Sequence, residues 1–212
     1  MTTSSKKIVI VDCGVGNLWS VHKAFHRFAP HTVISEEPTD IADADALVLP
    51  GVGTFSAGME GLTKRGLVGP LKEAVERGVP LLGICLGAQL LLDTGHEFGE
   101  HSGLGLIEGE VVPFPEFIHG EKLPVIGWQN IQVRNNAGAE VLFRDIADPC
   151  FYFVHSFLLH PSHTEDSVAD TRYGDYSYCA VVGKGNIFGT QFHPEKSGEA
   201  GLQLIRNFIS IL

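Results

Sequence analysis

The sequence predicts an α/β fold, with a largely parallel central sheet and helices on both faces. Short apolar runs bounded by polar residues or glycine read as buried strands. Stretches with apolar residues at helical spacing lie between them, and such alternation builds parallel sheets covered on both sides. The composition agrees, with 44% of residues hydrophobic and 19% charged. With 212 residues the chain reads as one domain, 1–212. A chain of that size buries roughly 70% of its extended surface, enough for a core without staples.

The elements follow in order. Lys6–Val11 is an apolar run closed by Asp-Cys-Gly and reads as a strand. Asn17 is placed to cap a helix on which Leu18, Val21, Phe25 and Phe28 form one apolar face. Thr32–Ser35 and Ala46–Leu49 read as further strands, the second broken by Pro50-Gly51-Val52-Gly53. Val79–Ile84 is a buried strand followed directly by a helix, Leu86–Leu92. The second half is richer in strand: Val125–Val133, Phe151–Phe157, Tyr178–Val182 and Asn186–Gln191. A helix starts near Gly198, with Leu202, Ile205, Ile209 and Leu212 on one face.

Charge and patterning exclude some partners. The formal net charge of -10 repels nucleic-acid phosphates and anionic lipid, so neither nucleic acid nor a membrane is expected as a partner. No apolar run approaches the ~18 residues needed to span a bilayer. Met1–Lys7 is polar, and Ile8–Val11 is too short for a signal-peptide core, so a cytoplasmic location is expected. None of the four cysteines, Cys13, Cys85, Cys150 and Cys179, falls in a C-x-x-C pair or at zinc-finger spacing from histidine. Free thiols are expected in a reducing compartment.

The strongest local signal is Gly83-Ile84-Cys85-Leu86-Gly87, between an apolar strand and a helix. A glycine–x–nucleophile–x–glycine run there forms a tight turn that lifts the nucleophile above the sheet edge. The glycines are needed because Cβ atoms would clash where strand meets helix. The helix dipole favours thiolate over thiol. The free amides of its first turn, that of Leu86 first, can bond a developing oxyanion. A buried structural cysteine is the commoner fate of a free thiol, but the paired glycines argue against it here. Cys13 also ends a strand, before Gly14-Val15-Gly16. The third glycine of a dinucleotide fingerprint would fall at position 19, which is Trp19, so Cys13 reads as packing.

A thiol nucleophile needs a base, and the base an orienting group. His193-Pro194-Glu195 follows the apolar strand Ile187–Phe192. Pro194 pushes His193 into an extended conformation and stops strand pairing. Residues two apart in an extended segment point the same way, so Glu195 can reach one imidazole nitrogen while the other faces Cys85. Other histidines compete less well. His22 and His26 stand four apart on a helix without an evident third ligand, so no metal site is expected. His155, inside an apolar strand, reads as a core histidine.

These residues resemble the class I, triad-type glutamine amidotransferases and, within them, the glutaminase subunits of imidazole glycerol phosphate synthase. GICLGAQLL and QFHPEKS are class-wide; GNLWSV, LPGVGTF, GLGLIEG, IGWQN and YFVHSF point to the narrower branch. The chain departs from the usual pattern at Cys13, Trp19, Gln129 and Phe157, where Tyr, Arg, Asn and Tyr are common. The resemblance implies a flavodoxin-like α/β sheet, a Cys85–His193–Glu195 triad, and an oxyanion hole from the Gly51-Val52-Gly53 loop and the Leu86 amide. It further implies that Gly51, Gly53, Gln89, Glu97, Ser156 and Phe157 bind substrate L-glutamine. No cofactor is implied.

The implied partner is a (β/α)8-barrel cyclase, forming a heterodimer that uses the ammonia in histidine biosynthesis. Ammonia that escapes to water is lost as ammonium, so the site must open towards the partner. Trp128 and Lys196 are assigned to that docking face. The rivals are a stand-alone γ-glutamyl hydrolase or peptidase on the same elbow, an amidotransferase subunit serving another synthase, and a binding module with a dead site. An intact Cys, His and Glu set argues against the last.

Overall fold

The computed structural model describes residues 6–115 and 122–212; the polar start at residues 1–5 lies outside them. Strand β1 (Ile8–Val11) alternates its side chains between two cores: Ile8 and Ile10 face one, Val9 and Val11 the other. A strand apolar on both faces needs helices on both sides. Helix α1 (Leu18–His26) covers the first, its N-terminus capped by Asn17, whose side chain accepts from the Ser20 amide at 3.4 Å. Strand β2 (Thr32–Ser35) has the expected bounds, and the short helix α2 (Pro38–Ala42) leads into β3 (Ala46–Gly51). β3 does not stop at Pro50. It runs on to Gly51, which lies in register with Cys85.

Two helices that the pattern did not reveal, α3 (Phe55–Lys64) and α4 (Val68–Glu76), cover the second face. Strand β4 (Leu81–Cys85) passes without a break into α5 (Leu86–Leu90). The helix ends two residues before Leu92 because the Leu90 carbonyl accepts from Leu104 and that of Leu91 from Leu106 and Ile107. Short strands β5 (Thr94–Gly95) and β6 (His101–Ser102) form a hairpin, followed by β7 (Gly109–Pro113).

Strand β8 (Val125–Val133) matches its expected bounds and is followed by helix α6 (Ala137–Leu142). The expected strand Phe151–Phe157 is two strands, β9 (Cys150–His155) and β10 (Phe157–Pro161), parted at Ser156. They belong to different ladders: β9 pairs with β8, and β10 with β7. Strands β11 (Ser167–Tyr173), β12 (Tyr176–Lys184) and β13 (Ile187–Thr190) follow.

Helix α7 (Gly198–Ile209) begins where expected, but its buried face is Gly201, Leu204, Ile205 and Phe208; Leu202 and Ile209 are only partly buried.

Among the described residues the sheet has 13 strands. Its parallel part runs β2-β1-β3-β4-β13. That order is the doubly wound 2-1-3-4-5 arrangement, in which ligands bind beyond the carboxyl ends of the strands. The second half joins it by antiparallel pairing, starting with β12 on β13. Among the described residues no helix is long and apolar enough to cross a membrane.

Candidate active site

Cys85 sits at the carboxyl end of β4 with φ 56 and ψ −110, a left-handed conformation that a non-glycine residue adopts only when its surroundings force it. The two flanking glycines show what forces it. A Cβ on Gly87 would overlap the Leu49 carbonyl oxygen of β3, and one on Gly83 would stand 2.7 Å from the Gly87 carbonyl oxygen. Helix α5 can therefore lie against β3 and β4 only with glycine at both positions. Cys85 is 7% exposed, so its thiol has a narrow opening to solvent.

His193 follows β13, the neighbour of β4 in the sheet. Its φ of −99 and ψ of 96 are extended, as the following proline requires. The next step differs from expectation. Pairing in β13 ends at Thr190, and residues Pro194–Lys196 form a tight 3-10 turn in place of an extended run. Proline fits the first position of such a turn because its fixed φ suits it. The turn brings Glu195 back onto the imidazole: Nδ1 of His193 donates to Oε1 of Glu195 at 2.8 Å, with side chains 3% and 2% exposed. The main chain is pinned as well. The His193 amide donates to the Tyr152 carbonyl at 2.9 Å, and the Ser197 hydroxyl donates to the His193 carbonyl at 2.6 Å.

Nε2 of His193 is buried and makes no full hydrogen bond, but the Cys85 sulfur lies near enough to act on the ring. Burial opposes a charge on the imidazole. The Cys85 and Glu195 groups outweigh it and raise the pKa to about 9. His155, lining the same cavity, goes the other way. Burial, reinforced by the charge at His193 and opposed by the Phe157 carbonyl, lowers it to about 4. Its Nδ1 donates to the Phe157 carbonyl at 2.9 Å, which leaves Nε2 to accept from the Tyr178 hydroxyl at 3.0 Å. The core reading of His155 holds for its bonding, yet one face of the residue lines the site.

The cavity over Cys85 measures about 340 Å³. It is lined by Val52, Gly53, Cys85, Leu86, Gln89, Glu97, Pro124, Val154, His155, Ser156 and Phe157. The substrate positions expected from the sequence thus meet around one hollow, except Gly51, which lies in β3 packed against the Leu86 side chain. Glu97 accepts the Phe55 amide of α3 on Oε2 at 2.7 Å. The Gln89 side chain is 6% exposed and donates to Gln191 Oε1 at 3.1 Å and to the Phe157 carbonyl at 3.4 Å. Trp128 and Lys196 lie outside the cavity and are exposed, Trp128 by 56%. Trp128 packs edge-on against Tyr152, whose carbonyl holds His193.

Sequence reasoning missed Gln191, fully buried and within 3.9 Å of the Cys85 sulfur. Its position two before His193, on a strand period, was the available signal. Cys13 is buried, its thiol near the Pro50 and Val15 carbonyls and its pKa raised by burial, as packing implies. His22 and His26 stack on each other, and His22 bonds the Thr32 carbonyl at 3.0 Å. A wider groove beside them, about 630 Å³, holds no thiol.

The family described as glutamine amidotransferase class-I matches residues 9–211. The chain belongs to that family. Among similar class-I amidotransferases is the imidazole glycerol phosphate synthase subunit HisH 1 of Legionella pneumophila (strain Lens). It is 45% identical over 213 residues, covering 96% of this chain and 99% of that one. The HisH subunit of Lactococcus lactis subsp. lactis is 43% identical over 204 residues, covering 96% and 98%. These relatives place this amidotransferase in the HisH branch. The fold recurs in a crystal structure of a glutamine amidotransferase, with TM-score 0.72 and 20% identity over 96% of this chain and 97% of that one. It recurs also in the structure of PurLQS from Thermotoga maritima, with TM-score 0.71 and 20% identity over 98% and 99%.

Proposed function

We propose that this amidotransferase, acting as one domain over residues 1–212, hydrolyses L-glutamine at Cys85 and passes the ammonia to a (β/α)8-barrel cyclase subunit. The cyclase would use it to form imidazole glycerol phosphate and aminoimidazole carboxamide ribotide in histidine biosynthesis. The observation that carries this reading is a thiol on a strained elbow, open to a cavity on one side and backed by a buried imidazole–carboxylate pair.

The chemistry follows from that arrangement. The Cys85 thiol passes its proton to His193, and the sulfur attacks the amide carbon, forming the C–S bond and moving the carbonyl π electrons onto oxygen. The Val52 and Leu86 amides receive that oxyanion. His193 gives its proton to the leaving nitrogen, the C–N bond breaks, and ammonia departs, leaving a γ-glutamyl thioester. Water, deprotonated by His193, then attacks the thioester; glutamate leaves and the proton returns to sulfur. Glu195 holds the ring and supports its charge. Glu97, with one oxygen held by the Phe55 amide, offers the other to the substrate α-ammonium, while Ser156 and Phe157 face its carboxylate and Gln89, Gly51 and Gly53 complete the wall.

An electrophilic glutamine analogue tests the nucleophile. Mass spectrometry should find the label on Cys85, with glutaminase activity lost in step. Label on Cys13, Cys150 or Cys179 with Cys85 untouched overturns the assignment. Addition of the purified barrel subunit should raise the glutaminase rate sharply; an unchanged rate favours a stand-alone γ-glutamyl hydrolase.

A further inference from the structure

We infer that Gln191 is a working residue of the site, donating a hydrogen bond to the Cys85 sulfur and accepting the second amide proton of Gln89, which holds that side chain with its oxygen free for the cavity. The inference rests on the glutaminase reading above. Gln191 is fully buried directly after β13. A buried primary amide is costly unless both its ends are bonded. Here both are, and both bonds lead into the site: Oε1 accepts from Gln89 at 3.1 Å, and Nε2 lies 3.9 Å from the Cys85 sulfur.

The direction of this relay is forced. The Phe157 main-chain carbonyl can only accept, so Gln89 must turn its nitrogen towards it. The same nitrogen donates to Gln191, so both its protons are spent on protein acceptors. Gln191 must then present its oxygen to Gln89, which leaves its own NH2 for the sulfur. Two consequences follow. Gln191 is able only to donate to Cys85, and a donor favours the charged sulfur over the neutral thiol. The Gln89 oxygen is left free on a residue that lines the cavity, an acceptor suited to N–H groups of the substrate.

The other groups that bear on Cys85 act differently. His193, backed by Glu195, exchanges its proton with the sulfur; the Val154 carbonyl accepts from the thiol at 3.7 Å and favours its neutral form; His155 is held neutral by burial; Glu97 stands on the cavity wall. Gln191 alone among them is a neutral donor that cannot titrate.

The test uses the whole protein and iodoacetamide, which reads the sulfur without needing glutamine to bind. Gln191→Met keeps the length and removes both bonds. Gln191→Leu also removes both bonds without adding a charge, and serves if the methionine variant misfolds. In both variants, folded by circular dichroism, alkylation of Cys85 at neutral pH should slow by about tenfold, and the pH of half-maximal alkylation should rise. In both variants KM for glutamine should rise and kcat should fall. A folded variant with the wild-type alkylation profile and kcat overturns the inference. A wild-type protein whose Cys85 reacts no faster than its other thiols overturns the glutaminase reading itself.

Discussion

His193 and Glu195 are bonded at 2.8 Å with both side chains almost wholly shut off from water. The bond has a measurable sign. Burial works against the imidazolium, while Cys85 and Glu195 lift the folded-state pKa to about 9, above the ordinary 6.5. The stabilisation from this group is therefore complete below pH 6.5 and is lost as pH rises through about 9. His155, lowered to about 4 chiefly by burial, has the opposite sign: the folded protein loses stability as pH falls from 6.5 towards 4. Urea denaturation across pH should show both slopes. Glu195→Gln should flatten the alkaline one, and an NMR titration should find a lower His193 pKa. An unchanged His193 pKa in that variant contradicts the role given to Glu195.

Gly87→Ala should destabilise the protein by about 3 kcal/mol, because its Cβ meets the Leu49 carbonyl oxygen, a main-chain atom that cannot turn aside. Gly69→Ala, in α4 with open space beyond its chain neighbours, is the contrast and should change stability by less than about 1 kcal/mol, the gain in helix propensity being offset by crowding against Pro70. Equal effects in thermal melts would mean that packing against β3 does not set the elbow.

The sequence read some of this well and some poorly, for physical reasons. Thr32–Ser35 and Val125–Val133 were legible because β-branched residues cluster in both, Thr32, Val33 and Ile34 in the first and Val125, Ile126, Ile131 and Val133 in the second. Cys85 and His193 were legible because glycine and proline mark the turns that carry them. Helices α3 and α4 were hidden by Gly58, Gly61, Gly69 and Pro70, which lower helix propensity; Gly58 and Gly61 are needed for close packing, Gly61 against the Cys13 carbonyl. The break at Ser156 was invisible because apolar residues continue across it while the pairing partner changes. The turn at Pro194–Lys196 was missed because proline suits both an extended segment and the start of a 3-10 turn. Gln191 was passed over because one polar residue in a buried strand has no pattern of its own.

Trp128→Ala should leave the fold intact and weaken the response to the cyclase. Trp128 and Ile126 are 56% and 62% exposed on one face of β8, and Trp128 touches Tyr152, which holds the His193 main chain. A docked partner covering this face would bear on His193 through Tyr152. Glutaminase rate against added cyclase subunit, with circular dichroism as control, measures the effect. Unchanged affinity and stimulation in the folded variant would refute this placement of the interface.

Cys85→Ala in the assembled enzyme should abolish glutamine-dependent synthesis and leave synthesis from free ammonia near wild type. Glu195→Gln should lose less, because His193 keeps its place through the Tyr152 and Ser197 bonds. A Cys85→Ala complex unable to use ammonia would assign the thiol a part in assembly or in the cyclase itself.

Strand β4 lies between β3 and β13, and this order has a consequence in time. The ribosome completes Cys85 and its elbow on the order of ten seconds before it reaches Glu195. Through that interval β4 has an unpaired edge, and Cys85 lacks the imidazole, carboxylate and Gln191 amide that surround it in the folded protein. Insertion of β13 closes that edge and brings those groups towards the thiol.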